Sequence, residues 1–338
     1  MKMRVVRNLN ECGSETAFRQ ALSLIREEES FLVAAHVDPD GDCVGSMLAV
    51  ASFLKNIGKR ADCFIPGEVP EKYSEIPGME ERLSEDQVAP EDYDVIFTVD
   101  VPTLERVGNI FDPREVKEVI NIDHHPTNGR FGSVNIVRED ASSTAILVYY
   151  LLSGYGDGTI TPRIADYLYL GVVMDTGCFR FSNTDAESLE VAARLVRLGA
   201  RAPEIAREFY HMKSASAVKL LGLVLNRLKF HGEGRIAVME LTSSMLYECG
   251  ARVEDTEGFI DFGTAIEGVE LVAFLREIEP EMTRVSLRSL DDHDVSALAE
   301  KYGGGGHTNA AGLMIGLSLD KTEELIRGSL REMLERSD

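Results

Sequence analysis

The stretch FLVAAHVDPDGDCVGS, residues 31–46, decides the fold, because an apolar run ends there at His36 and acidic residues follow at once. Three aspartates stand at alternate positions, Asp38, Asp40 and Asp42. Clustered carboxylates repel one another, and beside an apolar core they are costly unless a positive charge accompanies them. The sequence therefore predicts a cation at the mouth of a buried strand.

Strand-like runs alternate with helical periodicity through the first half of the chain, which is typical of a βαβ fold. Between the first two runs, apolar residues recur at helical spacing from Val44 to Leu54, so a helix should follow the first strand. Several runs are continuously apolar, as in parallel sheets that are covered on both faces. The predicted strands are FLVAAH (31–36), RADCFI (60–65), DVIFTVD (94–100), EVINID (118–123) and SVNIV (133–137).

The second half of the chain mixes helical and strand-like segments. Helical periodicity covers 142–170, where the Ser-Ser-Thr triplet 142–144 is interpreted as a helix cap, and it resumes at Ala186. Residues 202–230 look helical, and the basic stretch 227–235 is interpreted as a surface turn. Further predicted strands are RIAVMEL (235–241), VELVAFLREI (269–278), TRVSLRS (283–289) and GLMIGL (312–317).

These patterns predict an α/β protein with two domains. The N-terminal domain, residues 1–200, should hold a parallel sheet with helices on both faces. A helical connection, 201–230, should lead to a smaller C-terminal α/β domain, 231–338, with a mixed sheet. We expect a cleft between the domains, and ligands in such folds bind beyond the carboxyl ends of the parallel strands.

Composition restricts the class of protein. The formal net charge of −22 over 338 residues argues against stable binding of long nucleic acid, which needs clustered Lys and Arg. No apolar run is long enough for a membrane helix, and the N-terminus lacks the features of a secretory signal, so we expect a cytoplasmic protein without membrane contact. The cysteines have no CxxC spacing, and we expect them to be reduced: Cys12, Cys43, Cys63, Cys178 and Cys249.

Acidic residues recur where predicted strands end. VIFTVD ends in Asp100, VINID is followed by two histidines, and YLGVVMD, interpreted as a further strand end, closes on Asp175. A single aspartate after a strand is usually a helix cap or a turn residue, but four recurrences with interspersed histidine favour a metal site. Carboxylate and imidazole ligands suit Mn²⁺ above all, with Mg²⁺, Co²⁺ or Fe²⁺ as alternatives. So many ligands suit two ions better than one.

The motifs HVDPDGD, TVD, DHH and VVMDTG resemble those of the DHH phosphoesterase superfamily, and GGGGHTNAAG resembles the signature of its DHH-associated domain. Spacing and length are similar to the nano-RNase and pAp-phosphatase branch. The resemblance implies that Asp38 lies at the site, either behind the ion ligands or as a proton-handling carboxylate. It also implies that Asp123 orients a neighbouring histidine and that His125 faces the scissile phosphate as a hydrogen-bond donor or an acid. It implies these ion ligands: His36 and Asp40 for one ion, Asp42, His124 and Asp175 for the other, and Asp100 as the bridge.

The glycine-rich segment near the C-terminus is the predicted phosphate-binding segment. One glycine after a helix is an ordinary cap, whereas four, residues 303–306, let backbone N–H groups approach an anion. Arg288 is the cation that we expect on a substrate phosphate, the alternative being a solvated strand arginine. The predicted substrate-binding residues are Gly304, Gly305, Gly306, His307, Asn309, Arg288 and Arg180.

The resemblance implies metal-dependent hydrolysis of short 5′-phosphorylated oligonucleotides, about two to five nucleotides long and including pApA and pGpG, to mononucleotides. It also implies conversion of pAp to AMP and phosphate, and a possible homodimer. Four alternatives stay open: a RecJ-like single-strand exonuclease, a cyclic or linear dinucleotide phosphodiesterase, an inorganic pyrophosphatase, and a nucleotide-binding regulator that holds metals without turnover.

Overall fold

The apolar runs of the first half of the chain form a five-stranded sheet in which every neighbouring pair is parallel. Its strand order is 2-1-3-4-5 in the numbering of the strands along the chain. The predicted parallel α/β sheet is therefore confirmed. The strands are β1 (Ser30–Ala34), β2 (Arg60–Phe64), β3 (Val95–Val99), β4 (Glu118–Asp123) and β5 (Val134–Val137).

The structure, a computed structural model, describes residues 15–290 and 293–335. It divides into two units, Met1–Met212 and Lys213–Asp338. Cys12 and the rest of the N-terminal segment 1–14 lie outside the described residues, as does the side chain of His307. The other cysteines are free thiols, namely Cys43, Cys63, Cys178 and Cys249.

Helices cover one face of the parallel sheet, where apolar strand residues such as Phe31 and Val33 are fully buried. The other face, with Leu32 and Ile96, is covered among the described residues by loops and short 3₁₀ turns, of which Leu104–Val107 is one, so the prediction of helices on both faces holds for one face only. The helices are α1 (Glu15–Glu27), α2 (Gly41–Asn56), α3 (Glu71–Ser74), α4 (Thr144–Tyr155), α5 (Pro162–Asp175), α6 (Ala186–Arg197) and α7 (Ala202–Ile205), which continues as a π-helical segment, Ala206–His211.

The strand order creates a switch point beside β1. The chain crosses from β1 to β2 on one side and later returns to β3 on the other, so the loops after β1 and β3 diverge and leave a crevice at the carboxyl ends of these strands. His36 follows β1 and Asp100 follows β3. The topology thus brings the first two predicted metal ligands to the place where open α/β sheets bind ligands.

The C-terminal unit contains a six-stranded mixed sheet, as predicted, with apolar cores on both of its faces. Strands 7 and 8 are parallel, and all other neighbours are antiparallel. Its order is 10-11-9-8-7-6, with β6 (Lys229–His231), β7 (Ile236–Leu241), β8 (Leu271–Glu279), β9 (Met282–Ser289), β10 (Gly305–His307) and β11 (Ala310–Ile315). The helices are α8 (Ala215–Asn226), α9 (Ser243–Cys249), α10 (Ile260–Thr264), α11 (Val295–Lys301) and α12 (Leu319–Glu335).

Two local predictions are wrong. Asp175 ends helix α5 and not a strand, because YLGVVMD continues a helix that begins at Pro162 and is buried almost all round. A short apolar run of this kind cannot be told from a buried strand by periodicity. The basic stretch 227–235 is more than a turn, because Lys229–His231 pairs with β7 as an edge strand.

Among the described residues, no helix is long and apolar enough to cross a membrane.

Helices α2 and α5 approach each other closely where α2 carries Gly45. A Cβ atom at this position would clash with the carbonyl oxygen of Tyr167 on α5. We predict that Gly45→Ala lowers the free energy of unfolding of the N-terminal unit by about 1–3 kcal/mol, because one extra methyl overpacks the contact. Calorimetric unfolding measures the change.

Gly154 in α4 is the matched control, because a Cβ there would meet only the end of the Leu22 side chain, at 3.4 Å. Gly154→Ala should leave the stability unchanged or raise it by up to about 1 kcal/mol, since alanine is the better helix former. Equal effects of the two substitutions would contradict the close approach at Gly45.

Candidate metal centre

His36 and Asp100 lie at the switch point, and both are almost fully buried. The Nδ1 of His36 is 2.7 Å from the carbonyl oxygen of Val37 and 3.0 Å from Nη2 of Arg106, so neighbouring groups hold this side of the ring. The other ring nitrogen, Nε2, is 3.5 Å from Oδ2 of Asp100, which is long for a charged hydrogen bond. The ring is thus oriented in the way that proteins orient metal-binding histidines.

His124, which directly follows β4, is oriented in the same way. Its Nδ1 lies 3.1 Å from the carbonyl oxygen of Ala141, and its Nε2 lies 3.1 Å from Oδ2 of Asp175 and 3.7 Å from Oδ1 of Asp100. Oδ2 of Asp175 is buried and accepts no hydrogen bond among the described residues. Imidazole nitrogen and carboxylate oxygen therefore approach each other without hydrogen-bond geometry, as two ligands of one ion do.

Asp42 reaches the same place from the first turn of α2 and is completely buried. Its carboxylate caps α4, accepting the backbone N–H of Thr144 at 2.6 Å and that of Ala145 at 2.9 Å. Ser143 occupies the N-cap position of α4 but makes no side-chain cap bond, so the prediction that the 142–144 triplet caps this helix by its side chains is wrong. The distant Asp42 supplies the cap instead.

Ligand-type atoms form three groups among the described residues, with all atoms of a group within 4.8 Å of one another. Every group contains residues that the sequence predicted as ion ligands, and one adds the buried thiol of Cys43. The groups are His36 with Cys43 and Asp100, Asp100 with His124 and His125, and Asp42 with His124 and Asp175.

The remaining two aspartates of the opening motif lie beside these groups. Asp40 is exposed and caps α2, because its Oδ1 accepts the N–H groups of Asp42 and Cys43 at 3.0 Å each. Only its Oδ2 is left for an ion, and its role as a ligand stays a prediction. Asp38 is exposed with a left-handed backbone, φ 55°, and its role in proton handling likewise stays a prediction.

The electrostatics of the centre are unfavourable without a cation. Burial raises the pKa of the Asp42 carboxyl well above its usual range, and repulsion from Asp100 and Asp175 raises it further. Burial also raises the pKa of Asp175, followed by the charges of Asp40 and Asp100. Burial opposes the ionisation of Asp100 as well, but the hydrogen bond and charge of His36 and the charges of the other two histidines hold its pKa well below the usual range.

The residues present fit divalent cations. Carboxylate oxygens with imidazole nitrogens are the donor set of hard and borderline ions. Asp175 adds a further sign, because it is the last residue of α5 and the carboxyl end of a helix repels an anion. An acid placed there with an unbonded buried oxygen requires a positive partner.

Asp123, His125 and Asn128 form a hydrogen-bonded chain at the edge of the centre. Nδ1 of His125 lies 2.8 Å from Oδ1 of the fully buried Asp123. Oδ2 of Asp123 accepts a 2.6 Å hydrogen bond from Nδ2 of Asn128. The carboxylate is thereby fixed, and it orients the ring of His125, which is the only partly exposed imidazole of the three at the centre.

The glycine-rich segment has structural reasons for several of its glycines. Gly303 follows α11 with φ 78°, the usual left-handed end of a helix. A Cβ at Gly304 or Gly306 would collide with the backbone of β11, whereas Gly305 has open space around it. Binding of an anion by this segment therefore stays a prediction.

The other predicted substrate residues come from both units, and Asn309 and Arg288 are close together in the C-terminal one, because Ala310, next to Asn309, pairs with Arg288. Asn309 donates a 2.9 Å hydrogen bond to Oγ of Ser289, at the end of β9. Arg288, on β9, donates to the carbonyl oxygen of Leu287 at 3.0 Å. Arg180, in the N-terminal unit, is exposed and bonds the hydroxyl of Tyr210.

Sequence reasoning missed three residues of the centre. The sequence predicts Cys43 only to be a reduced cysteine, although it follows the aspartate motif directly. It predicts Thr144 only as part of a helix cap, yet the hydroxyl of Thr144 donates a 2.9 Å hydrogen bond to Oδ1 of Asp100. Asn128, three residues beyond the DHH motif, carries no signal of its own.

Two family models and several known proteins are similar to this chain. Residues 30–172 match the model of the DHH family, N-terminal domain, and residues 236–333 match that of the DHHA1 domain. The bifunctional oligoribonuclease and PAP phosphatase NrnA of Thermus thermophilus is 35% identical over 311 residues, or 92% of this chain and 92% of that protein. The protein of the same name from Bacillus subtilis is 28% identical over 302 residues, or 88% and 93%.

A solved structure agrees with these matches. The crystal structure of an exopolyphosphatase-related protein from Bacteroides fragilis has a TM-score of 0.88 and 27% sequence identity, covering 94% of this chain and 96% of that one. The family resemblance inferred from the motifs is confirmed. With both domains matched in order and a relative of such identity over nearly its whole length, this chain belongs to the DHH family and carries a DHHA1 domain after its DHH domain.

Proposed function

We propose that this protein is a metal-dependent phosphoesterase that hydrolyses short oligonucleotides to mononucleotides and converts pAp to AMP and phosphate. The observation that carries the proposal is the buried carboxylate of Asp100, with a nitrogen of each of three histidines between 3.5 and 3.7 Å from its oxygens. The names of the Thermus and Bacillus relatives, which state oligoribonuclease and PAP phosphatase activity, support the choice of substrates.

Five of the six proposed ion ligands belong to the three groups of donor atoms, and Asp40 is added because the family resemblance implies it. His36 and Asp40 would hold one ion, Asp100 would bridge, and the second ion would lie between His124 and two further acids, Asp42 and Asp175. Mn²⁺ is the proposed metal, because mixed oxygen and nitrogen donors suit it. Such ions supply Lewis-acid stabilisation of charge on a phosphoryl group and a water molecule of lowered pKa.

The protein's own groups position and move protons around the scissile phosphate. Thr144 and the backbone of α4 fix the carboxylates of Asp100 and Asp42 by hydrogen bonds. His125 gives a proton to the leaving oxygen through Nε2, since its Nδ1 is engaged with Asp123. Asp123 keeps the ring in this orientation.

The C-terminal unit is proposed to bind the phosphate of the substrate that is not being hydrolysed. Arg288 supplies charge from β9, and the glycine-rich segment with Asn309 supplies hydrogen-bond donors. Arg180 is proposed as a further contact from the N-terminal unit. Both pAp and a 5′-phosphorylated dinucleotide offer a phosphate monoester besides the bond that is cleaved, which is why one site would serve both.

The function is tested with four substrates in Mn²⁺: pAp, pApA, pyrophosphate and a single-stranded 24-mer. We expect AMP from pAp and pApA, and little turnover of the other two. Rapid loss of the 24-mer would favour a RecJ-like exonuclease, and phosphate from pyrophosphate alone would favour a pyrophosphatase. Binding of pAp without turnover would favour a regulator.

Removal of the metal should abolish activity reversibly. We expect that excess chelator stops AMP release and that Mn²⁺ restores it, because the buried acids lose their counter-charge without cations. Metal content measured by mass spectrometry before and after dialysis checks the loss. Full activity of metal-free protein would contradict the proposal.

Asp100→Asn should lower kcat more than about 100-fold and reduce bound metal, since the loss of even an outer partner of a ligand commonly costs 10–100-fold. The control is Asp157→Asn, which changes the same charge on an exposed loop residue and should alter neither kcat nor metal content. Wild-type turnover or unchanged metal content in Asp100→Asn would contradict the bridging role.

Asp123→Asn should lower kcat about 10–100-fold at nearly unchanged KM and metal content, because Asp123 acts by orienting His125. His125→Gln should lower kcat as well, and the double variant should be little worse than His125→Gln alone. Additive losses in this double-mutant cycle would show that Asp123 acts independently of His125.

A further inference from the structure

Arg106 contacts a proposed metal ligand, although the mechanism above gives it no role. It is half-buried in the 3₁₀ turn Leu104–Val107, in the segment that follows β3 and begins with Asp100. Its Nη2 lies 3.0 Å from Nδ1 of His36 and 3.0 Å from the carbonyl oxygen of Val37. The side chain therefore reaches from the loop after β3 to the loop after β1, on the other side of the switch point.

The backbone of Arg106 binds the same loop. Its carbonyl oxygen accepts the N–H of Val37 at 2.8 Å, so both backbone polar groups of Val37 are bonded to one residue. The N–H of His36 donates to the sulfur of Cys43 at 3.4 Å, which is a weak acceptor. Asp38, the next residue along, has a left-handed backbone, φ 55°. The position of the loop beyond β1 thus depends on Arg106.

The ring of His36 is held at both of its nitrogens by the segment that follows β3. Nε2 lies 3.5 Å from Oδ2 of Asp100, and Nδ1 lies 3.0 Å from Nη2 of Arg106. Because Arg106 and Val37 occupy the surroundings of Nδ1, Nε2 is the nitrogen that is left for an ion beside Asp100. Outer partners of this kind orient histidine ligands, and their loss typically weakens metal binding about 10–100-fold.

Arg106 is not placed as an ion-pair partner of an acid. Its hydrogen-bond partners among the described residues are a carbonyl oxygen and an imidazole nitrogen, and no carboxylate there lies within ion-pair distance of it. Other partly buried arginines do have such partners: Arg138 pairs with Glu187, and Arg235 pairs with Glu270. A guanidinium carries several donors in one fixed plane, so it can hold a carbonyl group and a ring at once. The contacts of Arg106 therefore indicate a role in geometry.

The second group of ligands is supported differently. Nδ1 of His124 lies 3.1 Å from the carbonyl oxygen of Ala141, and Asp42 and Asp175 complete that group. Within the described part of the chain, the hydrogen bonds of Arg106 go to the loop after β1 and to none of these residues. A change at Arg106 should therefore affect one ion and leave the other in place.

We propose that Arg106 is a positioning residue of the metal centre, which fixes His36 with Nε2 toward the ion that it would share with Asp100. The inference rests on the proposed function, in which His36 is an ion ligand. It makes the two ion sites unequal, because one of them depends on an arginine that joins two strand-end loops and the other does not.

Binding of Mn²⁺, measured by equilibrium dialysis without substrate, tests this role. Wild-type protein should bind two ions per chain. Arg106→Gln should weaken one of them about 10–100-fold and leave the other unchanged, because the shorter amide cannot reach the ring and the carbonyl together. Arg106→Lys keeps the charge but lacks the planar fork, so its loss should be smaller. Arg197→Gln, which changes an exposed arginine in the last turn of α6, is the matched control and should bind both ions as the wild type does.

The same variants separate positioning from a general loss of stability. In saturating Mn²⁺, Arg106→Gln should regain the kcat of the wild type at unchanged KM for pAp, because the ion then occupies the weakened site. His36→Gln should lose the same ion, and the double variant should bind Mn²⁺ no more weakly than His36→Gln alone, since both changes act on one ligand.

The inference is overturned if Arg106→Gln binds both ions as the wild type does, or if both ions are weakened equally. In either case the proposed function stands as long as the wild type cleaves pAp. If the wild type binds Mn²⁺ but leaves pAp intact, the proposed function fails, while the dialysis still decides the role of Arg106. Should Arg106→Gln not fold, selective loss of one ion in Arg106→Lys decides it.

Discussion

Repulsion among buried carboxylates is the constraint on which the N-terminal unit depends. Asp42, Asp100 and Asp175 come from a helix start, a strand end and a helix end, and they converge where solvent cannot screen them. Asp100 also adopts a left-handed backbone, φ 61°, which is uncommon for a residue other than glycine. Folding alone gains nothing from this arrangement, so the centre has to be stabilised by what it binds.

The helices around the sheet are placed to bring these acids together. Gly45 lets α2 and α5 approach closely, and a Cβ at Gly171 of α5 would lie 2.5 Å from Oδ1 of Asp42. The carboxylate of Asp42 also fixes the start of α4. The packing of α2, α4 and α5 and the geometry of the centre therefore depend on each other, and a change in either disturbs the other.

Sequence patterns predicted what depends on local order and missed what depends on approach in space. Continuous apolar runs located all five parallel strands, because both faces of that sheet are buried. The same rule failed at Asp175, since a helix buried all round leaves no polar period to detect. The roles of Thr144 and Asn128 could not be predicted from the sequence. Thr144 acts on Asp100, which is distant in sequence, and Asn128 acts on His125 only through Asp123. Local sequence motifs such as Asp-His-His predicted the other residues of the centre.

The two units have opposite electrostatic needs. In the N-terminal unit buried negative charge is in excess, which favours divalent cations; in the C-terminal unit the partly buried Arg276 has no carboxylate within ion-pair distance among the described residues, and Arg284 opposite it is exposed. A phosphate ester meets both needs, because it is an acceptor for arginine and a ligand for a cation. The net charge of −22 makes the average potential of the protein repulsive to such an anionic substrate. The proposed preference for short phosphorylated molecules is consistent with this charge distribution, since a short substrate needs only a few sites of positive charge.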